Sequence, residues 1–352
     1  AEADALSEGY QYYGVDTCAA CSMCSMLCPL GIDTAQIALS VRKVTAKGHG
    51  IAEAIYDNFP ATLAAARMGV TLGGAAGKVI TNKLISKITK GAHELTGVTP
   101  YAPTTLPKAN RHTLKNQRNT VGNDNVVYFS TCANRAFKPN QGQKDTRSLQ
   151  QVMENLCKKA GYNVIYPRHI ENLCCGLSFE NYEDIDKRAL RDLENALLEA
   201  SCGVYPVVID HSACFSHAFK HIKSVTILDV SEFLYTHIVP KLDIVKCKER
   251  VIVHKQCKIK KAGKEKYIEL LARACTDEVF NIKSFACCGF AGQKGFFTPE
   301  LNHSATRDLG DEVKEYGATL GVSSSSTCEI GLGERAGIPF IGIAYLLDAC
   351  SK

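Results

Sequence analysis

Four cysteines near the start of the chain constrain it more than any other sequence feature. They are Cys18, Cys21, Cys24 and Cys28, and Pro29 follows the last of them. The C-x-x-C-x-x-C-x-x-x-C-P spacing lets three thiolates close on one [4Fe–4S] cluster from a tight loop, and in two-cluster proteins the fourth cysteine ligates the other cluster. The run therefore predicts a cubane iron–sulfur cluster. A zinc site and a cysteine-rich surface loop are the alternatives.

The cysteine content of the whole chain supports metal binding. The chain has 352 residues and 17 cysteines, with a charged content of 22% and a net charge of +5. So many cysteines in a large intracellular chain indicate metal ligands rather than a disulfide framework. The positive charge occurs without blocks of like charge, so we expect no nucleic-acid partner.

The region after the cysteine run has helical patterns. Asp33 and Thr34 predict the start of a helix. Residues 61–80 have about the length that a membrane span needs. However, Arg67 and Lys78 interrupt this segment, and Gly and Ala dominate it. It predicts a packed helix pair rather than a span, with contact to a membrane or partner surface left open.

Beyond the helical region the pattern changes to apolar strands that alternate with amphipathic helices, and it does so twice. Such alternation predicts the α/β class, with parallel sheets covered by helices. The predicted domains are a helical, ferredoxin-like [4Fe–4S] domain at 1–95, a linker at 96–122, a first cysteine-rich module at 123–245 and a second at 246–352.

Each module contains a cysteine after a strand, then a Cys-Cys-Gly sequence, then another cysteine after a strand. The first quartet is Cys132, Cys174, Cys175 and Cys214, and the second is Cys257, Cys287, Cys288 and Cys328. Ligands of open α/β sheets collect at the carboxyl ends of strands. Adjacent cysteines do not form an unstrained disulfide. Soft thiolates favour an iron–sulfur cluster or zinc, and inert buried thiols are the third interpretation.

Residues three positions before some of these cysteines are also considered as ligands. His211 lies three residues before Cys214, and Ser325 lies three before Cys328. His211 is a further candidate metal ligand, although a histidine here is more often a packed, hydrogen-bonded residue. The same weighing applies to His254, three residues before Cys257. The remaining cysteines predict core or surface positions: Cys157, Cys202, Cys247, Cys275 and Cys350.

Several motifs together carry a family resemblance. GVDTCAACSMCSMLCPLGIDT, NLCCGLSFEN, ACCGFAGQKGFFTPEL and SSSSTCEIGL occur in this order. They resemble the C-terminal iron–sulfur, cysteine-rich (CCG) part of FAD-linked D-lactate (D-2-hydroxyacid) dehydrogenases. The glycolate oxidase iron–sulfur subunit and the heterodisulfide reductase B subunit are related.

The resemblance implies an oxidoreductase component that passes electrons from FAD to a quinone or a protein acceptor. It implies a [4Fe–4S] cluster at Cys18–Cys28, and one or two further iron–sulfur clusters or zinc in the CCG modules. FAD would be bound by a missing domain or a partner subunit, and we expect no catalytic acid or base in this chain. We expect a cytoplasmic protein, and peripheral attachment to the inner face of the cytoplasmic membrane is left open.

Two other functions stay open. The first is a thiol–disulfide oxidoreductase subunit of the heterodisulfide reductase type. Modules of that type end in C-x-x-C, whereas here His211 and Ser325 occupy the place of the first cysteine. The second is a zinc-binding scaffold that docks a flavoprotein.

Overall fold

The structure is a computed structural model of the chain. It describes residues 9–79, 82–96, 99–118, 124–140 and 143–352. Some predicted segments therefore lie partly outside the described residues, at 1–8 and 80–81 of the helical domain, at 97–98 and 119–122 of the linker, and at 123 and 141–142 of the first module.

The N-terminal part is helical. A short π-helix at Gln11–Asp16 precedes the cysteine loop. The helices that follow are α1 (Met23–Leu27), α2 (Thr34–Thr45), α3 (His49–Asp57), α4 (Phe59–Val79) and α5 (Asn82–Thr96). Helix α2 begins as predicted, because the Asp33 carboxylate accepts a hydrogen bond from the Ala35 N–H at 3.1 Å. This cap satisfies one of the amides that a helix start leaves without a partner.

Helix α4 contains most of the apolar segment at residues 61–80, which has about the length of a membrane span. Within the described ranges, no helix is long and apolar enough to cross a membrane. Instead, α4 packs against the first module. The Arg67 guanidinium donates to the backbone carbonyl of Arg135 at 2.9 and 3.2 Å, and Phe59 and Leu63 are buried. Helix α4 also contacts α5, as the predicted helix pair requires.

The first module is built on a four-stranded parallel sheet with strand order β2-β1-β3-β4. Its strands are β1 (Asp124–Phe129), β2 (Tyr162–Ile165), β3 (Val207–Ile209) and β4 (Ile227–Asp229). The connecting helices are α6 (Cys132–Ala136), α7 (Leu149–Lys159), α8 (Glu183–Ser201), α9 (Ser212–His221) and α10 (Val230–Phe233). Short 3₁₀ or π turns occupy Ile170–Asn172, Leu177–Phe179, Leu234–Ile238 and Val239–Lys241.

The second module repeats this topology with strand order β6-β5-β7-β8, again parallel throughout. Its strands are β5 (Val251–Val253), β6 (Val279–Asn281), β7 (Leu320–Ser323) and β8 (Phe340–Gly342). Its helices are α11 (Cys257–Lys261), α12 (Lys266–Cys275), α13 (Lys294–Phe297), α14 (Pro299–Ala305), α15 (Leu309–Tyr316), α16 (Ser326–Ala336) and α17 (Ile343–Cys350). The predicted α/β fold with helix-covered parallel sheets is confirmed.

The two modules share a hydrophobic core. The largest buried cluster contains residues from β1 and β3 together with residues from β5, α12 and α17. A buried carboxylate reinforces this junction. Asp348 of α17 accepts hydrogen bonds from Arg147 at 2.6 Å, from Asn155 at 2.7 Å and from Lys159 at 3.1 Å. These bonds compensate the loss of water around the buried charge, so the two sheets are held in one arrangement.

Candidate metal centres

The N-terminal cysteine loop turns through two residues in the left-handed backbone region. Ala20 and Ser22 have φ values of 48° and 59°. The Ala20 N–H donates to the Cys18 thiol at 3.4 Å. Residues other than glycine pay about 1–2 kcal/mol for this conformation. Such strain persists where the surroundings determine the backbone, which is common at cofactor sites.

The other end of the loop is tied to helix α2. The Cys24 thiol lies 3.5 Å from Oδ1 of Asp33, and Lys261 donates to the other oxygen of that carboxylate at 3.1 Å. Burial opposes ionisation of Asp33, but the hydrogen bonds from Lys261 and Ser22 and the charge of Lys261 together outweigh it and lower the pKa of the carboxyl group. At Cys28, the N–H groups of Ile32 and Leu30 lower the pKa of the thiol, which favours the thiolate that a metal requires.

Three lysines of the second module and Arg42 of α2 hold this loop in place. Lys258 donates to the carbonyl of Ala20 at 2.7 Å, and Lys294 donates to that of Cys18 at 3.1 Å. The Ser22 hydroxyl accepts a hydrogen bond from Lys261 at 2.7 Å, and Arg42 donates to the carbonyls of Val15 and Cys18. Burial lowers the pKa of Lys294 to about 8, so it is still largely charged at pH 7. Positive charges around four thiolates offset the negative charge of an iron–sulfur site.

In the first module, the predicted quartet is together at the carboxyl edge of the sheet. The thiols of Cys132 and Cys174, of Cys174 and Cys175, and of Cys175 and Cys214 lie close enough to shift one another's pKa. The Cys174 thiol, together with burial, raises the pKa of the Cys132 thiol well above its ordinary value.

The glycine of the first Cys-Cys-Gly sequence is required by the backbone. Gly176 has a φ of +88°, and its N–H donates to the Cys174 thiol at 3.4 Å. A Cβ at this position would lie 2.2 Å from Oδ1 of Asp186, a carboxylate oxygen that is also 2.8 Å from Nε2 of His217. Glycine therefore lets the chain bring an N–H against the sulfur of Cys174.

A buried cation lies beside the first quartet. Arg135 is 5% exposed, and its guanidinium donates to the backbone carbonyls of Ile170 and Leu173. Burial lowers its pKa, and the neighbouring Cys132 and Cys174 oppose that shift. Since an arginine stays charged in proteins, the first module carries its own positive charge next to the ligand sulfurs. From the sequence, Arg135 is most simply interpreted as part of a solvated face, and its burial shows that this interpretation is wrong.

In the second module, the quartet is joined by a cysteine of the N-terminal loop. The thiol of Cys287 lies close enough to those of Cys257, Cys288 and Cys21 to shift their pKa values, and Cys288 is in turn a neighbour of Cys328. The neighbouring Cys287 thiol and burial raise the pKa of the Cys21 thiol. The loop and the second module therefore form one continuous group of thiols, a contact that the sequence did not predict.

The second Cys-Cys-Gly glycine is even more restricted than the first. Gly289 has a φ of +70°, and its N–H lies 3.5 Å from the Cys287 thiol. A Cβ would lie 2.6 Å from the backbone carbonyl oxygen of Leu301. Because that neighbour is backbone, it cannot rotate away.

A histidine also reaches the second quartet. One ligand atom each from His254, Cys288 and Cys328 lie within 4.8 Å of one another, and all three residues are buried. Nδ1 of His254 is 3.0 Å from the Ser323 hydroxyl, and among the described residues Nε2 has no hydrogen-bond partner. Burial lowers the pKa of His254 to about 3, so the imidazole is neutral. The sequence offered one weak signal for this residue, its position three residues before Cys257.

His211 and Ser325, which replace the first cysteine of each C-x-x-C ending, contact one another across the module boundary. Nε2 of His211 lies 3.1 Å from the Ser325 hydroxyl and 3.4 Å from that of Thr327. Nδ1 of His211 has no partner in the described part of the chain. Burial lowers the pKa of His211 to about 4. One ring nitrogen is thus engaged between the modules, and the role of His211 as a ligand stays a prediction.

The five cysteines outside the quartets occupy other places. Cys157 is buried in the core and Cys202 is exposed. The other three meet at the edge of the second sheet opposite to the quartet, where Cys350 contacts both Cys247 and Cys275. The Cys350 thiol lies 3.5 Å from the backbone carbonyl oxygen of Cys275.

The donor sets fit a thiophilic metal group. Each quartet supplies four soft sulfurs that are neighbours in pairs along the set, together with a backbone N–H directed at one of the sulfurs and a nearby cation. Thiolates with such N–H donors and low solvent access are the ligands that iron–sulfur clusters use, and four thiolates also suit zinc. Cys18, Cys21, Cys24 and Cys28 supply a third set of the same chemistry. The ligand assignment itself stays a prediction.

Comparison with known families agrees with this donor chemistry. The family model CCG, described as a cysteine-rich domain, matches residues 126–218 and 251–333, which is half of the chain. The chain belongs to the CCG cysteine-rich domain family. Two copies of this domain are consistent with the CCG part of iron–sulfur proteins, and they indicate a metal-binding, electron-transfer component of a redox enzyme.

Two further comparisons add little to this CCG protein. No curated protein matches the chain. Among solved structures, it aligns with the crystal structure of allantoin racemase from Pseudomonas fluorescens at 10% identity and a TM-score of 0.24, covering 64% of this chain and 87% of that one. An alignment with so low a TM-score carries no functional argument.

Proposed function

We propose that this chain is the iron–sulfur electron-transfer part of a flavin-dependent D-lactate or D-2-hydroxyacid dehydrogenase. FAD is bound by another domain or subunit, and a quinone or an electron-carrier protein is the acceptor. The proposal combines the resemblance of the cysteine motifs to that group of dehydrogenases with the arrangement of three thiol sets in one chain.

The contact between Cys21 and Cys287 carries the proposal. It brings the N-terminal loop directly against the second module, so that cofactors held by the two sets would be immediate neighbours. A structural zinc site has no need of a neighbouring metal, whereas electron carriers work through closely spaced centres. When bound, iron–sulfur clusters supply one-electron redox chemistry, with potentials set by charge, hydrogen bonds and solvent access.

The chain's own residues hold the sulfurs, exclude water and supply charge. Cys174, Cys175 and Cys288 are each at most 3% exposed. Backbone N–H groups of Gly176 and Gly289 donate to ligand sulfurs. Such hydrogen bonds stabilise the more negative, reduced form of a site, and so they raise its reduction potential.

An apolar surface beside Cys28 suits a docking partner. Leu27, Leu30 and Ile32 are 74%, 82% and 52% exposed. Apolar side chains grouped on a surface mark sites of protein association. We assign this surface to the flavin-binding partner, because it adjoins the N-terminal cysteine loop.

The two alternative functions make different demands on the same residues. Disulfide chemistry of the heterodisulfide reductase type uses the C-x-x-C endings. Here the residues in those places, His211 and Ser325, are hydrogen-bonded to each other. A zinc scaffold is favoured by one observation, the mixed set of His254, Cys288 and Cys328, since imidazole and thiolate together are common zinc ligands.

Metal analysis with spectroscopy tests the proposal. The chain would be purified anaerobically, its iron, acid-labile sulfide, zinc and flavin quantified, and EPR spectra recorded before and after D-lactate is added with the flavoprotein that co-purifies. We expect about 8–12 iron atoms per chain, from two or three four-iron clusters, and lactate-dependent reduction. Zinc in the modules with at most one iron cluster would favour the scaffold. Iron without a lactate response, but with turnover of a disulfide, would favour the reductase.

A matched pair of variants tests the docking surface. Leu30→Asp should weaken association with the flavoprotein and slow lactate-dependent reduction. Leu95→Asp changes an equally exposed leucine, 90% exposed on α5, and should leave both unchanged. Equal effects of the two variants would remove the assignment of this surface.

A further inference from the structure

The two modules differ at one pair of core positions. Counted back from the first cysteine of each quartet, His254 in the second module corresponds to Phe129 in the first. Counted back from the last cysteine, Ser323 corresponds to Ile209. Phe129 and Ile209 are register partners on β1 and β3. In the second module, Val253 and Val322 are register partners on β5 and β7, and His254 and Ser323 are the next residues after them. The second module thus has a polar pair where the first has an apolar one.

The polar pair is fully inside the protein. His254 is 3% exposed and Ser323 is 0% exposed. The hydrogen bond between Nδ1 and the serine hydroxyl satisfies one ring nitrogen. The other, Nε2, has no partner among the described residues. Leaving a buried polar atom without a partner destabilises a fold by about 1–3 kcal/mol, so such an atom requires an explanation.

The position of the ring supplies that explanation. A ring nitrogen of His254 and the sulfurs of Cys288 and Cys328 lie within 4.8 Å of one another, close enough to share one metal ion. Histidines that ligate metals usually bond through one nitrogen, while the other is fixed by a hydrogen bond to a neighbouring group. Ser323 holds Nδ1 in this way, and Nε2 is the ring nitrogen that has no hydrogen-bond partner among the described residues.

We infer that His254 is a metal ligand of the second module through Nε2, together with Cys288 and Cys328. This inference rests on the proposed metal loading of the cysteine quartets. It makes the second module a mixed imidazole–thiolate site. At the same place the first module has Phe129, which cannot ligate a metal.

The assignment has a consequence for the redox balance between the modules. A neutral imidazole brings no negative charge, whereas a thiolate brings one. Replacing thiolate by histidine raises the reduction potential of iron–sulfur centres, as in Rieske clusters. We therefore expect the second module to be reduced at a higher potential than the first.

Nitrogen hyperfine spectroscopy of the full-length chain tests the inference. Pulsed EPR on the anaerobically prepared protein, in both oxidation states, should detect a nitrogen strongly coupled to a cluster spin. The coupling should change to the ¹⁵N pattern when histidine alone is ¹⁵N-labelled. If a module is EPR-silent in both states, a Mössbauer spectrum of ⁵⁷Fe protein should show a quadrupole doublet distinct from those of iron with sulfur ligands alone.

Three variants separate His254 from the other candidate. His254→Phe installs the residue of the first module and should abolish the nitrogen coupling. His254→Cys should abolish the coupling but retain iron, because a thiolate replaces the imidazole. His211→Asn is the control, and it should keep the coupling. Retention of the coupling in His254→Phe, or its loss in His211→Asn, would overturn the assignment.

Failure of this inference is distinguishable from failure of the proposed function. Iron in the second module without nitrogen coupling or a distinct doublet would remove His254 as a ligand and leave the electron-transfer proposal intact. Zinc in that module, with one nitrogen in its X-ray absorption spectrum that His254→Phe removes, would support His254 and remove the iron–sulfur function of the module. A second module that binds neither metal would overturn both.

Discussion

The two cysteine-rich modules have the same sheet topology, but their metal-ligand candidates have different surroundings. In the first module, apolar side chains of α3 and α4 cover the quartet. Tyr56 and Phe59 pack with Phe179 and with Cys174 in one buried cluster. In the second module, the N-terminal cysteine loop takes that place, and Cys21 touches Cys287.

This difference assigns separate roles to duplicated sites. The first quartet is covered by helices, and a buried cation of the same module, Arg135, lies beside it. The second quartet is continuous with another cysteine set, and its cations, Lys258 and Lys294, bind the loop rather than the quartet alone. The duplicated fold thus contains one enclosed site and one site at a junction. Both quartets lie at the carboxyl ends of equivalent strands, and the segments that cover them determine how each site is used.

The glycine after each cysteine pair should show the largest effects. Gly289→Ala combines a positive φ with a Cβ only 2.6 Å from the backbone oxygen of Leu301, and we expect it to destabilise the chain by about 2–5 kcal/mol. Gly176→Ala should cost less, because its neighbour, the Asp186 carboxylate, can rotate away. Chemical denaturation of both variants measures the two values. The reverse order would contradict the backbone account.

Replacement of Arg135, the buried cation beside the first quartet, should affect the first module alone. Arg135→Met leaves the buried Leu173 carbonyl without its donor and weakens the satisfaction of Ile170, so we expect a loss of about 2–4 kcal/mol in the free energy of unfolding. Metal content of the first module should fall, while that of the second stays unchanged. Arg307→Met, which changes a largely exposed arginine in an ion pair at the surface, is the control and should have no measurable effect.

Loosening the loop should affect its junction with the second module and leave the first module unchanged. Lys258→Met and Lys294→Met each remove a charged hydrogen bond to a loop carbonyl, worth about 1.5–3 kcal/mol locally. We expect faster amide hydrogen exchange in residues 15–24 and unchanged exchange around Cys174. Uniformly faster exchange in both regions would show that the lysines support the whole fold rather than the junction.

The smallest effect is expected at the cover of the first module. The Tyr56 hydroxyl donates to Asp192 at 2.6 Å, while its ring packs against Phe179. Tyr56→Phe keeps the ring and removes the hydrogen bond, so it should cost about 0.5–1.5 kcal/mol. Thermal unfolding measures the change. A loss above about 3 kcal/mol would mean that this bond, and not apolar packing, closes the first site.

Much of the fold was predictable because its signals are local. Apolar strands followed by amphipathic helices indicated two parallel α/β modules, and Asp33 marked the start of α2. Strands β4 and β6 gave no comparable signal, and all three residues of β6 are only half-buried. Their place in the sheets is decided by packing rather than by their own sequence.

The candidate sites were predictable to the extent that spacing reports them. The paired cysteines with their glycines indicate each quartet, since few other structural or functional roles require a Cys-Cys-Gly sequence. The contact of Cys21 with Cys287 was not predictable, because 266 positions separate them and no local pattern encodes the docking of a loop. Arg135 reads as a surface residue, and only its carbonyl partners show why it is buried. Only the comparison with Phe129 distinguishes His254 from an ordinary packed histidine. This comparison requires the equivalent strand positions of the two modules, which the structure provides.

The most direct test of this account is the metal content of each module in the full-length chain. Cys175→Ser and Cys288→Ser would be prepared anaerobically beside the unmodified chain, with iron, acid-labile sulfide and zinc quantified in all three. The account predicts more than about four iron atoms in the unmodified chain. Each variant should lose the iron of its own module and keep that of the other. About four iron atoms in all three proteins would contradict it, because the modules would then hold no iron–sulfur cluster.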